Sequence, residues 1–330
     1  FATATQDEES MSQSKTPVDP EEFAKEFEAL GPAEMARKYS VDIRNVHMKR
    51  KRVENLLGTI LHVPAHLDSR NRPRESFRRN LEVTDGVIMV GSDCHYEPNT
   101  VTTAHLAFVQ IAKKLKPKVI VLDGDLIDGS SIGRHPMNDW EDRPSVEQEL
   151  STAQKRLQEI QKASPKSDRY WLIGNHDQRF NSYLANNANQ FGGVVGFDLK
   201  DHFKEWVFGM SLWVSGAERA IVIKHRIAGG VHAAYNNTLK TGTHIVTGHT
   251  HSQQVYSWSD YTGHRYGVQC GTMANPHQPT FDYAEDGPKN WVSGFVVLTI
   301  KDGFLLSPEF VKVHHAGEYE WRGQIWQVEE

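Results

Sequence analysis

Carboxylate, imidazole and amide side chains recur in four short motifs in the middle of the 330-residue sequence. The motifs are Asp93-Cys94-His95, Gly124-Asp125-Leu126-Ile127-Asp128-Gly129, Gly174-Asn175-His176-Asp177 and Gly248-His249-Thr250-His251. A carboxylate and an imidazole two residues apart on an extended segment project to the same side, so they can share one metal ion. Oxygen ligands mixed with imidazoles suit Mn, Fe, Zn or Mg-class ions. Two such ions can activate a water and hold the phosphoryl oxygens of an in-line displacement, so these residue types indicate phosphoester chemistry.

Each motif follows a segment that the sequence predicts to be a strand. Residues 87–92, 118–122, 170–173 and 244–247 are short and mostly apolar, and helices are predicted at 101–115 and 145–163. Open α/β sheets place their sites at the carboxyl ends of strands. Further strands are predicted at 220–224, 254–258, 266–270, 292–300 and 304–313. Strand-helix-strand units followed by a strand-rich region predict an α/β sandwich of two sheets.

The motifs D-x-H, G-D-x-x-D, G-N-H-D and G-H-x-H, in this order over about residues 84–280, resemble the calcineurin-like metallophosphoesterase family. The resemblance implies a four-layer α/β/β/α sandwich and a centre of two divalent metal ions, with Mn expected and Fe, Zn or Mg as alternatives. It implies that Asp93, His95 and His251 hold one ion, that Asp125 bridges both, and that Asn175, His225 and His249 hold the other. It also implies that His176 is the catalytic histidine, and that Asp177 or Asp128 orients imidazoles through hydrogen bonds without binding the metal itself.

The second-metal histidine has a rival. His225 ends a predicted strand, but Arg226 follows it where the family usually has glycine, and His232 is the alternative ligand. Ligands cluster at strand ends, so His225 is favoured. His135 either lines the substrate cleft or is a bystander. Cys94 lies between two ligands, so its side chain should point away and pack.

The N-terminal quarter of the chain has its own organisation. Residues 37–79 carry twelve Arg and Lys against four acids, between acidic segments. Residues 1–19 are predicted to be disordered, 20–57 to form three short helices that resemble a helix-turn-helix unit, 58–82 to be a basic linker, and 83–330 to be the phosphoesterase domain. The candidate nucleic-acid contacts are Arg44, Asn45, Lys49, Lys51 and Arg52. The alternative is a dimerisation or docking bundle with a solvated basic face.

Composition excludes some classes. No apolar run approaches the roughly 20 residues of a membrane span, and two cysteines cannot form a disulfide framework. We therefore expect a cytoplasmic protein without a membrane partner. The sequence does not predict its oligomeric state.

The substrate hypothesis depends on two motif differences from the protein Ser/Thr phosphatases and on the basic helical module at residues 20–57. Protein Ser/Thr phosphatases of this family carry Arg-Gly after G-D-x-x-D and Glu after G-N-H, whereas this chain has Gly129-Ser130 and Asp177. Repair-type exonucleases of phages and bacteria resemble it in joining a small helical module to this core. The favoured hypothesis is a metal-dependent phosphodiesterase, a nuclease acting on DNA or RNA, in which His176 is the general acid. The alternatives are a phosphatase or phosphodiesterase for nucleotides or other small phosphoesters, and a DNA-binding scaffold without activity that retains the fold.

Overall fold

A computed structural model describes residues 16–17, 19–62, 77–134, 143–284 and 287–329. The chain divides into two compact units, residues 1–75 and residues 76–330. Residues 1–15 of the segment predicted to be disordered lie outside the described residues, as do His135 and residues 63–76 of the predicted linker. Among the described helices, none is both long enough and apolar enough to cross a bilayer.

The N-terminal unit contains two helices, α1 (Pro20–Tyr39) and α2 (Ile43–Leu57). Gly31 interrupts α1 with a left-handed backbone (φ 73°), so the unit has the three helical segments that the sequence predicts. Asp19 and Asp42 cap the helices, because their side-chain oxygens accept backbone N–H groups of the first turns. The buried core of the unit consists of Phe23, Phe27, Met35, Val46, Val53 and Leu61.

The structure corrects one residue of the predicted nucleic-acid face. The ammonium group of Lys49 turns inward, where it donates to the Thr16 hydroxyl (2.9 Å) and to the Pro17 carbonyl. Position 49 lies three residues after Val46 and four before Val53, so it shares the buried face of α2. Burial lowers the pKa of Lys49. Lys49 therefore stabilises the helical unit, whereas Arg44, Asn45, Lys51 and Arg52 are exposed as predicted.

The larger sheet of the C-terminal unit has nine strands. They are β2 (Gly86–Gly91), β3 (Val119–Asp123), β4 (Asp168–Leu172), β5 (Val207–Gly209), β11 (Gly294–Lys301), β12 (Phe304–Leu305), β13 (Glu309–His315), β14 (Glu318–Trp321) and β15 (Gln324–Gln327). Their order is β15-β14-β13-β11-β2-β3-β4-β5, and β12 pairs with β11. Strands β2 to β5 are parallel, and the chain between them forms the helices α3 (Thr103–Leu115), α4 (Val146–Ala163) and α5 (Gln178–Asn187).

The smaller sheet has six strands in the order β1-β6-β7-β8-β10-β9. They are β1 (Arg78–Glu82), β6 (Ser211–Ser215), β7 (Ile221–Ile223), β8 (His244–Thr247), β9 (Gln253–Asp260) and β10 (Gly263–Cys270). Helix α6 (Ala233–Thr241) connects the parallel strands β7 and β8. Gly267 allows α6 to approach β10, because a Cβ at that position would lie 1.7 Å from the Thr238 hydroxyl oxygen.

The C-terminal unit has the four layers that the family resemblance implies. One apolar core lies between the two sheets and includes Ile88, Val121, Leu212 and Val246. A second core lies between the other face of the larger sheet and helices α3 and α4. Helix α6 packs on the other face of the smaller sheet. The alternation of β2 and β3 residues between the two cores explains why these strands consist of continuous apolar runs.

The predicted linker boundary is wrong at its C-terminal end. Residues 78–82 form β1, which pairs in parallel with β6. The segment Arg-Arg-Asn-Leu-Glu contains one apolar residue, so its hydrophobic pattern gave no strand signal. The Arg78 guanidinium lies 3.6 Å from the centroid of a Trp213 ring, and Arg79 donates to the Phe208 carbonyl. These long side chains supply the packing that apolar residues supply elsewhere in the sheet.

Candidate metal centre

Loops at the ends of five strands carry the candidate ligands. Three of these strands, β2, β3 and β4, belong to the larger sheet, and β7 and β8 belong to the smaller one. The residues that follow these strands are Asp93 and His95, Asp125, Asn175 and His176, His225, and His249 and His251. Parallel strands end at the same edge of a sheet, so each sheet contributes its loops as a group.

The ligand atoms form three groups that share members. Asp93, His95 and His251 form one group, His95, Asp125 and His176 a second, and Asp125, His225 and His249 a third. Within each group the ligand atoms lie within 4.8 Å of one another. His95 and Asp125 each belong to two groups. Asp125 shares one group with His95 and another with His225 and His249, so it lies between the residues that the family resemblance assigns to the two ions.

The backbone of this site is held in an uncommon conformation. Five of the candidate ligands have left-handed φ angles: Asp93 (51°), His95 (37°), Asp125 (53°), His249 (70°) and His251 (56°). This region is sparsely occupied by residues other than glycine, although Asp, Asn and His enter it more readily than others. Such strain persists where surrounding contacts enforce it and concentrates at functional sites. Here, the left-handed turns occur at the residues whose side chains converge.

Several buried polar atoms of this cluster lack a hydrogen-bond partner among the described residues. They are His95 Nε2, Asn175 Oδ1, His225 Nε2 and His251 Nδ1. Buried polar groups without partners are costly, so native proteins rarely leave them unpaired. Imidazole nitrogens and an amide oxygen beside carboxylates are suitable donors for divalent metal ions, which would satisfy all four atoms. The residues present therefore fit a metal centre.

The structure distinguishes the two rival histidines. His225 is buried, and its Nε2 lies 3.0 Å from the Asp125 carboxylate, in a geometry that does not form a hydrogen bond. Its Nδ1 lies 2.6 Å from the Asp123 carbonyl oxygen. A backbone contact of this kind fixes the ring orientation and leaves Nε2 available to bind a metal ion. His232 is exposed and occupies the N-cap position of α6. The candidate centre therefore contains His225, and the Arg226 that follows it does not prevent this placement.

The sequence matches the profile of the calcineurin-like phosphoesterase family over residues 86–253, just over half of the chain. All seven candidate ligands lie in this segment, and six of them belong to the three ligand groups. The chain belongs to this family.

Among curated proteins, this calcineurin-like phosphoesterase is similar to the Gene 54 proteins of two mycobacteriophages. It is 28% identical to that of phage L5 over 172 residues and 29% identical to that of phage D29 over 176 residues. Each match covers 47% of this chain and 65% of the relative, less than two thirds of its length.

Solved structures with a similar fold include Vps29 from Entamoeba histolytica in complex with zinc, which is 13% identical with a TM-score of 0.40. That match covers 74% of this chain and 99% of the other. A metallophosphoesterase from Sphaerobacter thermophilus is 14% identical with a TM-score of 0.38, and the match covers 72% and 89% of the two chains.

In this family member, Asp128 orients the imidazoles. Its Oδ1 lies 3.2 Å from His95 Nδ1 and 2.7 Å from His176 Nδ1. A carboxylate at Nδ1 fixes the ring and places the proton there, which leaves Nε2 directed to the cluster. The charged form of Asp128 is disfavoured by burial, but hydrogen bonds from His176 and His95 outweigh this and hold its pKa below the ordinary value.

Asp177, the other candidate for orienting imidazoles, contacts backbone groups instead. Its carboxylate accepts the backbone N–H groups of Asp125 (2.8 Å), Leu126 (2.9 Å) and Gly174 (2.9 Å) and the indole N–H of Trp171 (3.0 Å). Asp177 thus joins the loop after β3 to the loop after β4. It acts on the backbone that places Asp125. Of the two carboxylates that the family resemblance offers for orienting imidazoles, Asp128 is the one that contacts them.

The buried charges of the centre are strongly coupled. Burial opposes ionisation of both Asp125 and His225, but the attraction between them outweighs it, so the pKa of Asp125 is lowered and that of His225 is raised. Burial raises the pKa of Asp123 to about 8, and its neighbours Asp93 and Asp125 add to the effect. Burial therefore favours the neutral form of Asp123, whereas the charge of His225 favours the ionised form.

Aromatic packing around the site was partly missed. Trp291, which carries no site signal in the sequence, lies against His251 with ring centroids 4.6 Å apart. Phe281 contacts His95 (5.1 Å) and His251 (5.4 Å). Cys94 is buried with its Sγ 3.9 Å from the Met273 sulfur, so the predicted packing role is confirmed.

Glu149 on α4 is a buried carboxyl group that sequence reasoning did not single out. Both of its oxygens contact the Gly129 N–H (2.9 and 3.1 Å), next to Asp128. Burial, with a contribution from Asp128, raises its pKa from 4.5 to about 8. The folded state therefore retains a proton that the unfolded chain releases above about pH 4.5.

We expect this proton to make stability depend on pH. Relative to the Glu149→Gln variant, the free energy of unfolding of the metal-free protein should fall by up to about 1.4 kcal/mol per pH unit between about pH 4.5 and 8. Urea unfolding at pH 5, 6, 7 and 8 measures the difference. Glu147→Gln, at an exposed position of the same helix, is the control and should run parallel to the parent protein. Parallel curves for Glu149→Gln would contradict the prediction.

Proposed function

We propose that this protein is a binuclear-metal phosphodiesterase that hydrolyses phosphodiester bonds in DNA or RNA. The single observation that supports it most is the convergence of imidazole and carboxylate ligand candidates from both sheets, with His176 in one of the three groups. Asp93, His95 and His251 would hold one ion, Asn175, His225 and His249 the other, and Asp125 both. When bound, two divalent ions supply an activated water and positive charge for the phosphoryl oxygens.

His176 is the general acid in this proposal. Asp128 holds its Nδ1 and keeps Nε2 directed to the cleft, where it can deliver a proton to the leaving oxygen. Its side chain is 17% exposed, so a substrate can reach it. Burial opposes its charged form, but the Asp128 hydrogen bond and the charge of Asp125 raise the pKa of His176 above its ordinary value. The imidazole can therefore carry a transferable proton near neutral pH.

The proposal is tested by incubating the purified full-length protein with Mn²⁺ and labelled single- and double-stranded DNA and RNA. Bis(p-nitrophenyl) phosphate and p-nitrophenyl phosphate are assayed in parallel. Cleavage of a nucleic acid and faster turnover of the diester than of the monoester are expected. Turnover of small esters without cleavage of nucleic acid would favour a phosphatase or a nucleotide phosphodiesterase. No turnover with Mn, Zn, Fe or Mg would favour a scaffold.

The exposed basic face of α2, formed by Arg44, Asn45, Lys51 and Arg52, is proposed to bind nucleic-acid backbone. It lies on the helix that follows a short turn at Ser40 and an Asp42 cap, the arrangement of a helix-turn-helix unit. Arginine and lysine on such a face neutralise phosphates and release counterions on binding. Affinity should therefore depend steeply on salt.

We expect the triple substitution of Arg44, Lys51 and Arg52 by alanine to weaken nucleic-acid binding. Each lost phosphate contact should reduce the slope of log affinity against log salt by about 0.9. Fluorescence anisotropy with labelled DNA at four salt concentrations measures this slope, and turnover of the small diester should stay unchanged. Lys25→Ala, at an exposed position of α1, is the control. An unchanged slope in the triple variant would contradict the assignment of this face.

A further inference from the structure

Arg179 places a guanidinium group against the proposed general acid. It lies in the first turn of α5, three residues after His176. Its Nη1 donates to the Asp128 carbonyl oxygen (2.9 Å) and lies 3.4 Å from Asp128 Oδ2. Its Nη2 lies 3.4 Å from His176 Nε2, the ring nitrogen that does not contact Asp128. The side chain is 25% exposed, so solvent reaches part of it while Nη1 stays on the Asp128 carbonyl oxygen.

The neighbouring loop makes room for this arginine. Gly129 follows Asp128 with a left-handed backbone (φ 62°), and a Cβ there would lie 3.3 Å from Arg179 Cβ and 3.4 Å from its Cδ. A side chain at position 129 would therefore press on the arginine stem. The loop, the carbonyl contact and the helix N-terminus together define where the guanidinium sits.

The polar contacts of Arg179 leave donors unused. Its Nη1 has a well-formed bond to the carbonyl oxygen, whereas Nη2 has only the 3.4 Å contact to His176 among the described residues. The Asp128 carboxylate already interacts with His95 and His176, so it does not neutralise the guanidinium alone. A guanidinium group with unused N–H donors beside a candidate metal centre is suited to an anion with oxygen acceptors.

We propose that Arg179 binds a non-bridging phosphoryl oxygen of the substrate through Nη2 while Nη1 stays on the Asp128 carbonyl. This rests on the proposed phosphoesterase function and adds a protein cation to the metal site. Binding the phosphoryl group draws Nη2 away from His176 Nε2 and leaves that nitrogen free to face the leaving oxygen. Lysine cannot replace the arginine, because one ammonium group cannot hold the Asp128 carbonyl and a phosphoryl oxygen in the same fork geometry.

The test compares Arg179→Ala, Arg179→Lys and Arg226→Ala, all in the Mn-loaded full-length protein. Calorimetric titration with inorganic phosphate measures anion binding without turnover, and kinetics on the small diester give KM and kcat separately. Loss of a charged hydrogen bond should weaken phosphate binding about 10- to 100-fold in both Arg179 variants. KM should rise and kcat should fall. Arg226, an exposed arginine after His225, is the matched control and should leave phosphate affinity unchanged.

Two outcomes would overturn the inference separately from the function. If the parent protein is active and Arg179→Ala lowers kcat while phosphate affinity stays unchanged, Arg179 only supports Asp128 and His176. If Arg226→Ala weakens phosphate binding and the Arg179 variants do not, the phosphoryl group lies on the other side of the cluster. A parent protein that neither binds phosphate nor hydrolyses any phosphoester refutes the proposed function, and this inference with it. Thermal unfolding of each variant shows whether it has folded.

Discussion

Replacing His176 by alanine is expected to lower diester turnover by about 10²- to 10⁴-fold, the range for loss of proton transfer to a leaving group. Metal content should remain at the parent level, because the other candidate ligands keep their positions and Asp128 still holds His95. Turnover is measured under saturating Mn²⁺, and metal content by mass spectrometry after dialysis. A p-nitrophenolate leaving group needs little protonation, so the loss of about 10²- to 10⁴-fold is expected for a nucleic-acid substrate and a smaller loss for the small diester.

The control for this experiment is His232→Ala. His232 is also a histidine near the start of a helix that follows a candidate ligand, but it is exposed and belongs to none of the three ligand groups. It should retain both metal and turnover. Parallel loss of metal and activity in His176→Ala would show that His176 is a ligand, a role its place beside His95 and Asp125 permits. Full activity would exclude it as the acid.

The candidate site could be read from the sequence because its chemistry is local. Each motif is a few residues long and follows an apolar run, and parallel strands bring their carboxyl ends together. The motifs that follow β2, β3, β4 and β8 therefore identified four of the five ligand-bearing loops. The loop after β7 was harder, since a strand of three residues carries little pattern and both His225 and His232 follow it.

What the sequence could not supply is the geometry between loops. The left-handed angles at Asp93 and Asp125 depend on contacts from other segments, such as the N–H groups that Asp177 accepts. Neighbours in the sequence were a poor guide there, because Asp177 follows His176 and yet holds the backbone of a loop 50 residues away. Arg179 gave no signal either, since an arginine in a first helical turn is ordinary until its contact with Asp128 is known.

In the N-terminal unit, too, the sequence predicted the helices but not the contacts of one side chain. Helix periodicity predicted which apolar residues pack, but Lys49 shares the buried face with Val46 and Val53. Only the structure shows that its ammonium group finds acceptors at Thr16 and Pro17. Basic composition therefore overstates the exposed charge of the unit.

The Asp125→Asn substitution should be the most damaging change to metal binding. Asp125 is shared by two of the ligand groups, lies 3.0 Å from His225 Nε2 and accepts the His176 N–H at 2.8 Å. Asparagine keeps the shape and one acceptor but removes the negative charge between the groups. Loss of residues behind metal ligands costs 10- to 100-fold in affinity, so loss of a shared ligand should cost at least about 100-fold, and turnover should fall with it.

The number of metal equivalents bound by each variant distinguishes a residue that bridges two ions from one that binds a single ion. The parent protein should bind two equivalents of Mn²⁺, Asp125→Asn should lose both, and His251→Ala should lose one, because His251 belongs to a single group. Asp302→Asn is the matched control, since Asp302 has the same left-handed backbone (φ 51°) on an exposed turn and tests the substitution itself. Retention of two equivalents by Asp125→Asn would contradict the shared position. Loss of both equivalents by His251→Ala would instead mean that the two ions bind only cooperatively.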